Sequence, residues 1–407
     1  MTTVLHEVPL GEVASFIRGI TFKPSDVVPV ETPGVVRCMR TKNVQAHLDL
    51  SDVWAVSATL VKRPEQFLQA GDILVSSANS WNLVGKCCWI PQLDSPSSFG
   101  GFVSVLRANS SKVDSRYLYH WFSSSRIQAT LRSFGQQTTS ISNLNIDRCL
   151  KLSLPLPPLE KQRQIAEMLD RAHGLRAKHR ESLVHLDDLT QSIFLDMFGD
   201  PVDNKFGWPS GAVRDFVARF ETGKNLVAED EDDQRAKFRV LKVSAVTSLT
   251  FNGRESKAVP RDYQPPSSHL VRHEDLLFSR ANTEALIGAT ALVVNPPNNL
   301  LLPDKIWRFV WREPAKSSPL YVRQLFQQRS FRSQIRRRAT GTSGSMKNIS
   351  QDKVMAISIG VPPISLQCAF ADRAAEVERL KTVHQASLTE LDALFASLQD
   401  RAFRGLL

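Results

Sequence analysis

Residues 295–298 come nearest to a catalytic motif in this chain. Their sequence, Asn-Pro-Pro-Asn, is similar to the motif with which adenine methyltransferases hold an extruded base. The fourth position of that motif is normally an aromatic residue that stacks on the base, and Asn298 has no aromatic face. No glycine-rich loop after a strand offers a convincing cofactor site either. We therefore interpret this segment as a proline-rich surface turn.

Other strings that suggest chemistry each lack a required residue. Gly85 and Lys86 resemble the end of a phosphate-binding P-loop. However, Ser80 replaces its first glycine and Cys87 its magnesium-binding serine or threonine. Residues 203–205 match half of a nuclease Asp-x-Lys pair but lie in a polar turn segment, and the histidines show no HExxH or HxH spacing. We expect no metal, no cofactor and no catalytic centre.

Basic residues give the clearest functional signal. The formal net charge is +10 and the sequence pI is about 9.5, which favours a polyanionic partner. Arginines crowd a predicted helix over residues 323–338, which runs into a loop of small residues; the alternative is a solvated cationic helix face. The residues that we predict to contact DNA are Lys42, Arg132, Gln137, Thr138, Thr139, Lys242, Arg280, Arg332, Arg336, Arg337, Arg338, Lys347 and Asn348.

Two strand-to-loop segments, 76–80 (SSANS) and 279–283 (SRANT), offer side chains that can pair with base edges. Because the segments are so alike, their repetition can equally be structural. We predict a structural role for Asn79 and Asn282 and a DNA contact for Arg280.

The length and composition of the chain indicate its class and the number of its domains. The chain has 407 residues, 42% of them hydrophobic and 23% charged, which suits two globular domains. The first residues lack the basic segment and apolar run of a secretory signal, and no stretch is long and apolar enough for a membrane span, so we predict a cytoplasmic protein. The five cysteines show no Cys-x-x-Cys spacing and are interpreted as reduced, mostly buried thiols.

The chain resembles itself about halfway along. DILVSSANSWNLVG at 72–85 matches DLLFSRANTEALIG at 275–288, 203 residues later, without a gap. Asn143 and Asp147 match Asn348 and Asp352 at a distance of 205 residues. Each repeat therefore contains a mixed part with short buried strands, followed after a Pro-Pro pair by a helical part.

The segment Leu159 to Phe198 has few helix breakers and predicts one helix about 60 Å long. A helix of this length needs a partner, and the equivalent C-terminal segment predicts a coiled coil with it; the alternative is that each helix packs only on its own domain. The predicted a positions are Ile165, Ala172, His179, Leu186 and Ile193, then Phe370, Val377, His384, Leu391 and Leu398. The predicted d positions are Met168, Leu175, Ser182, Leu189 and Asp196, then Leu380, Ser387 and Leu394.

The pattern resembles the specificity subunits of Type I restriction-modification systems along nearly the whole chain. The resemblance rests on DLLFSRANTEALIG, PLPPLEKQRQIAEMLD, LTQSIFLDMFGD and LFASLQDRAFRG, in this order. It implies an α+β chain with two α/β target-recognition domains, separated by two long antiparallel helices in a pseudo-twofold repeat. The implied domains are residues 1–157 and 201–363, with spacer helices at 158–200 and 364–407.

The resemblance also implies the function. Each recognition domain would read half of a split target in double-stranded DNA, and the helices would set the gap between the halves. Two modification subunits, which carry S-adenosylmethionine and methylate adenine, and motor-nuclease subunits would supply the catalysis. Ser77 stands where Arg280 stands in the second repeat, which puts equal use of the two halves in doubt. The alternatives are a self-contained DNA methyltransferase or nuclease, and a coiled-coil adaptor that does not contact DNA.

Overall fold

The computed structural model describes residues 6–138, 141–226, 236–260, 262–313, 318–341 and 346–406, except for the side chains of residues 136–138. The chain forms two compact units. The first comprises Met1–Arg180 and Ala386–Leu407, and the second comprises Glu181–Gln385. This division runs through both long helices, so the domain boundaries at 157, 200 and 363 stay a prediction.

The first half of the chain contains short strands, three short helices and one long helix. The strands are β1 (Glu7–Pro9), β2 (Ala14–Arg18), β3 (Val27–Val28), β4 (Val35–Met39), β5 (Trp54–Ser57), β6 (Ile73–Ser76), β7 (Ala78–Asn79), β8 (Cys87–Trp89), β9 (Ser97–Phe99), β10 (Val103–Ala108), β11 (Gly135–Thr138), β12 (Ile141–Leu144) and β13 (Ser153–Pro155). The helices are α1 (Ser115–Phe122), α2 (Ser125–Ser133), α3 (Ile146–Leu150) and α4 (Leu159–Phe198).

The second half repeats this order of elements. Its strands are β14 (Ser210–Ala212), β15 (Val217–Thr222), β16 (Arg239–Leu241), β17 (Ser256–Ala258), β18 (Leu276–Ser279), β19 (Ala281–Asn282), β20 (Thr290–Leu292), β21 (Leu300–Leu301), β22 (Ile306–Trp311), β23 (Lys347–Asn348) and β24 (Ser358–Gly360). Its helices are α5 (Ser244–Thr247), α6 (Pro319–Gln327), α7 (Arg329–Arg338), α8 (Gln351–Met355) and α9 (Ile364–Phe403).

The sheets confirm the internal repeat. The first unit has a four-stranded sheet in the order β2-β10-β6-β8, and the second has the same sheet as β15-β22-β18-β20. Strand β4 pairs with β5 antiparallel and with β9 parallel, as β16 does with β17 and β21. The pair β1–β13 likewise corresponds to β14–β24. The predicted strands in DILVSS and DLLFSR are β6 and β18. Their residues are buried because a hydrophobic core covers each face of the strand.

Each unit has a hydrophobic core in which the mixed part packs on the long helices. In the first core Tyr117 and Phe122 of α1 lie with Ile165 and Leu169 of α4. In the second, Tyr321 of α6 stacks on the Phe194 ring of α4 at 5.6 Å, and Phe370 of α9 lies against the same Phe194 ring at 5.5 Å. The long helices are therefore part of each core and are not bare connectors.

The predicted helix over Leu159–Phe198 is confirmed, and it pairs with α9. In the first unit His173 lies 6.1 Å from Phe395, ring centroid to centroid, and Arg180 donates to Asp392 at 3.0 Å. In the second unit Lys381 pairs with Asp187 at 2.6 Å, and the rings of Phe198 and Phe370 lie 5.8 Å apart. Rising numbers on α4 meet falling numbers on α9 within each unit, so the pairing is antiparallel.

The predicted heptad register is wrong at the d positions. Leu175 and Leu189 are 50% and 44% exposed, and the equivalent leucines of α9 are exposed too. The residues one position later line the helix pair instead. Arg176, for example, lies over the Phe395 ring at 4.4 Å and pairs with Asp392. An arginine can fill this place because its alkyl stem packs against the partner helix and its guanidinium stacks on a ring. Assigning the d positions to leucines therefore gave the wrong heptad register.

The prediction of a single helix over residues 323–338 is also wrong, because this segment forms two helices, α6 and α7. Gln328 has an extended backbone, with φ −61° and ψ 139°, and it separates α6 from α7. The break lets both helices pack on one core, where the rings of Phe326 and Phe331 lie 4.5 Å apart. Ser124 separates α1 from α2 in the same way.

The cysteines fit their prediction as mostly buried free thiols: Cys38, Cys88 and Cys149 are buried, and Cys368 is exposed. Among the described residues, no three His, Cys, Asp or Glu side chains are grouped to hold a metal ion. Within the described residues, no helix has the length and apolar character of a membrane span.

Candidate nucleic-acid interface

The two matching turns after β6 and β18 have the same internal hydrogen bonds. Asn79 donates to the Ser76 hydroxyl at 3.0 Å, and its carbonyl accepts from the Ser80 amide at 2.8 Å. Asn282 makes the equivalent bonds to residues 279 and 283, at 3.3 and 2.8 Å. These bonds occupy both ends of each amide group, which supports the predicted structural role of the two asparagines.

A glycine ends each turn for a steric reason. Gly85 and Gly288 have φ values of 81° and 79°, in the left-handed region. A Cβ on Gly85 would lie 2.9 Å from the Leu131 side chain, and one on Gly288 would lie 2.9 Å from Ile335. The turn can therefore lie directly on α2 in one unit and on α7 in the other.

Helix α7 holds the second turn with arginines. Arg332 donates to the carbonyl oxygen of Ala285 at 2.9 Å, and Arg336 donates to the same oxygen at 3.5 Å. Burial of Arg332, together with the positive charge of Arg336, lowers the pKa of the Arg332 guanidinium. Since Arg336 and Arg337 are exposed and α7 has no acidic residue, its outer face is cationic.

Three more predicted residues lie beside this turn. Strand β23 pairs with β19, which places Lys347 opposite Asn282 and Asn348 opposite Ala281. Arg280 directs its Nε to the carbonyl oxygen of Asp304 at 2.7 Å and remains partly exposed. The second unit thus brings Arg332, Arg336, Lys347 and Asn348 to one turn, while Arg280 is partly engaged by the protein.

The predicted residues of the first unit are less fully described. Arg132 is half-buried on α2, the equivalent of α7. Gln137 and Thr138 lie on β11, paired with Ser142 and Ile141 of β12. Thr139 falls outside the described residues.

Lys42 lies in a cleft of the first unit that has aromatic walls and a volume of about 580 Å³. The guanidinium of Arg40 lies 3.8 Å from the centre of the Trp54 ring. Asp52 pairs with Arg40 at 3.0 Å and with Lys42 at 2.6 Å. Phe102 lines the same cleft and is 66% exposed.

Lys242 lies in the equivalent cleft of the second unit, which has a volume of about 370 Å³. Lys224, Lys257 and Lys305 line it as well. Among the described lining residues, Asp304 is the only acidic one. Lys42 and Lys242 were predicted from the sequence as DNA contacts, whereas Phe102 and Lys305, which stand 203 residues apart in the chain, were not.

Comparison with known proteins identifies the relatives of this chain. Residues 5–181 match the family described as the Type I restriction modification DNA specificity domain. The specificity subunit of the Type I restriction enzyme EcoKI from Escherichia coli K12 is 24% identical, over 98% of this chain and 88% of that protein. The StySPI specificity subunit from Salmonella potsdam is 21% identical over the same shares.

Solved structures share the fold. The S subunit of a Type I restriction-modification system from M. genitalium covers 99% of this chain and 97% of its own, with a TM-score of 0.55 and 12% identity. A chain from a type I R-M system, solved to explain complex assembly and conformational transition, covers 100% of both chains with a TM-score of 0.53 and 16% identity. At these identities, the likeness concerns the fold alone.

Proposed function

We propose that this chain, which is similar to the specificity subunits of Type I restriction-modification systems, binds a split DNA target and directs partner adenine-methyltransferase and restriction subunits to it. The observation that carries the proposal is the duplicated unit, found in a chain that aligns over 98% of its length with such a subunit. Two copies of one fold provide two similar DNA-binding surfaces, which suits a target in two halves.

The chemistry of each surface favours DNA. The exposed arginines of α7 and the lysines of the second cleft can neutralise phosphates, which supplies affinity without sequence information. The turns after β6 and β18 present short polar side chains that can approach base edges in the major groove. Phosphate contacts would position the protein, and the turns would read the sequence.

The long helices offer a surface for the partner subunits. Apolar side chains stay exposed along both helices, outside the seam in which they pair. They are Leu175, Val184, Leu189 and Leu195 on α4, and Leu380, Val383 and Leu394 on α9. Exposed apolar stripes of this kind mark protein interaction sites. We propose that two modification subunits dock here, that the restriction subunits join them, and that the chain itself supplies no catalysis.

The first test is a genome-wide map of adenine methylation in the source cell, with and without this gene. We expect methylation to vanish from one split motif when the gene is removed. An unchanged map in cells that express active modification subunits would contradict the proposal. A purified chain that methylates DNA without partners would replace it with a self-contained methyltransferase.

A second test concerns the helices as a spacer. We expect an insertion of four residues, about one helical turn, in both α4 and α9 to change the gap between the half-sites and to leave their sequences unchanged. A changed half-site sequence would argue against this role.

A further inference from the structure

The two clefts occupy the same place in the repeated fold. Each lies beside the paired strands β4 and β5, or β16 and β17, and beside the turn that leads into β10 or β22. In both units, a backbone carbonyl of this turn accepts a hydrogen bond from the residue that follows β6 or β18. The carbonyl of Phe102 accepts from the Ser77 amide at 3.0 Å, and that of Lys305 accepts from the Arg280 amide at 3.1 Å. The clefts are therefore equivalent and adjoin the turns.

Their lining differs at equivalent positions. Trp54 and Phe102 of the first cleft stand 203 residues before Lys257 and Lys305 of the second. At two positions, an aromatic residue in one repeat is thus replaced by a lysine in the other. The fold does not require either set, because β4 pairs with β5 as β16 pairs with β17.

The second cleft has the electrostatics of an anion site. Four lysines line a space of about 370 Å³, and Asp304 is the single carboxylate among the described residues that share it. Because Lys242 also interacts within the protein, the anion site is built on Lys224, Lys257 and Lys305. Asp304 also lies 4.0 Å from a guanidinium nitrogen of Arg280, so its charge is shared with a fifth cation. Like charges held this close repel one another, and an anion between them would remove that repulsion.

The first cleft has the opposite balance. Its two cations, Arg40 and Lys42, are both paired with Asp52, so less positive charge is left for an external anion. Its distinguishing groups are flat apolar surfaces: the Trp54 ring, which is covered by Arg40, and the Phe102 ring, which is mostly exposed. An exposed aromatic ring beside a DNA-reading turn can stack on a base or insert between base steps.

We propose that the equivalent clefts engage DNA by different chemistry: the second holds backbone phosphates between its lysines, while the first stacks Phe102 on a base. The inference rests on the proposed function and specifies how each unit carries it out. The second unit then supplies most of the salt-dependent affinity, and the first unit supplies affinity that salt changes little.

The experiment measures the affinity of the full chain, assembled with its modification subunits, for a duplex that carries the methylated motif, over a series of KCl concentrations. The triple variant Lys224→Ala/Lys257→Ala/Lys305→Ala should make the slope of log K against log salt shallower by about 2 to 3, since each phosphate contact contributes about 0.9. The matched control removes three exposed lysines outside the cleft, Lys151, Lys161 and Lys178, and should leave the slope nearly unchanged.

Phe102 is tested in the same assay. Phe102→Leu should weaken binding about tenfold with no change in slope, and Phe102→Tyr should retain wild-type affinity, because a base stacks on an aromatic face and not on an aliphatic group. Since Phe102 is mostly exposed, neither change should affect folding.

Three results would overturn the division of chemistry: an unchanged slope for the lysine variant, an equal change for the control, or equal affinities for Phe102→Leu and the wild type. If the lysine triple does not fold, Lys305→Ala and Lys257→Gln should each reduce the slope by about 0.9, and an unchanged slope in both would overturn the proposal equally. Specific binding by the wild type in any of these cases would leave the proposed function standing. A wild-type complex that does not prefer the motif over a scrambled duplex would overturn both.

Discussion

Gln162 and Gln367, 205 residues apart in the chain, make the same pair of hydrogen bonds in their two units. Gln162 accepts from the amide of Asp114 and donates to the carbonyl of Pro157, both at 2.8 Å. Gln367 accepts from Ser318 at 3.5 Å and donates to Pro362 at 3.0 Å. Each buried glutamine thus ties the first turn of a long helix to the residue that caps α1 or α6.

Gln162→Ala should destabilise the first unit by about 2–4 kcal/mol, because it leaves a buried amide and a buried carbonyl without partners. Urea unfolding followed by tryptophan fluorescence measures the effect. Gln164→Ala, two residues later on the exposed side of α4, is the control and should change stability by less than about 0.5 kcal/mol. Equal stabilities for the two variants would show that the hydrogen bonds contribute little.

Gly85→Ala should destabilise the protein by at least about 1 kcal/mol, because φ is positive and the new Cβ would meet Leu131 at 2.9 Å. Gly288→Ala should have the same effect in the second unit, where the Ile335 side chain is in the way. Gly174→Ala is the matched control. It lies inside α4 with no atom within 4 Å of the added Cβ, so it should stabilise the helix by about 0.5–1 kcal/mol. A thermal unfolding series would refute the steric argument if all three changes had one sign.

Asp72→Asn should cost about 3 kcal/mol, because it leaves the guanidinium of Arg107 in the protein without its carboxylate. Arg107 donates to the two carboxylate oxygens of Asp72 at 2.7 Å each, and the aspartate side chain is almost fully buried. Asp94→Asn, an exposed residue of the same unit, is the control. Adding Arg107→Met to Asp72→Asn should recover part of the loss, and a purely additive double variant would contradict the coupling.

Stability of the first unit should fall as the pH drops from about 6.5 to about 4. Burial, and then the charges of His47 and Arg176, lower the pKa of His173 from its ordinary 6.5 to about 4. Between these values the folded state binds fewer protons than the unfolded state, so the stabilisation is complete above pH 6.5 and is lost below it.

Unfolding midpoints measured from pH 7.5 to pH 4 test this prediction. His173→Gln should flatten the profile, whereas His185→Gln, at an exposed site on the same helix, should not. Asp170 acts at lower pH: burial raises its pKa, but hydrogen bonds from His120 and Arg116 lower it to about 2. A profile unchanged by His173→Gln would assign the titration to another group.

The sequence by itself determined the repeat, the bounds of the first long helix and the position of the central strands. These features follow from local patterns: apolar runs such as residues 73–76, helical spacing after Pro157 and Pro158, and a register shared by two halves of one chain. Lys42 and Lys242 were also predicted from the sequence as DNA contacts, although only the fold showed that each of them lines a cleft.

Only the tertiary structure decided which side of each long helix is covered, where the arginine-rich helix breaks and what the two clefts contain. A leucine count favoured Leu175 over Arg176 for the helix seam, but an arginine that stacks on Phe395 and pairs with Asp392 fills that place. Likewise, Phe102 and Lys305 look unrelated in the sequence, because an aromatic ring and an ammonium group share no chemistry. They are equivalent because the same backbone hydrogen bond holds both, and such a bond does not depend on the side chain.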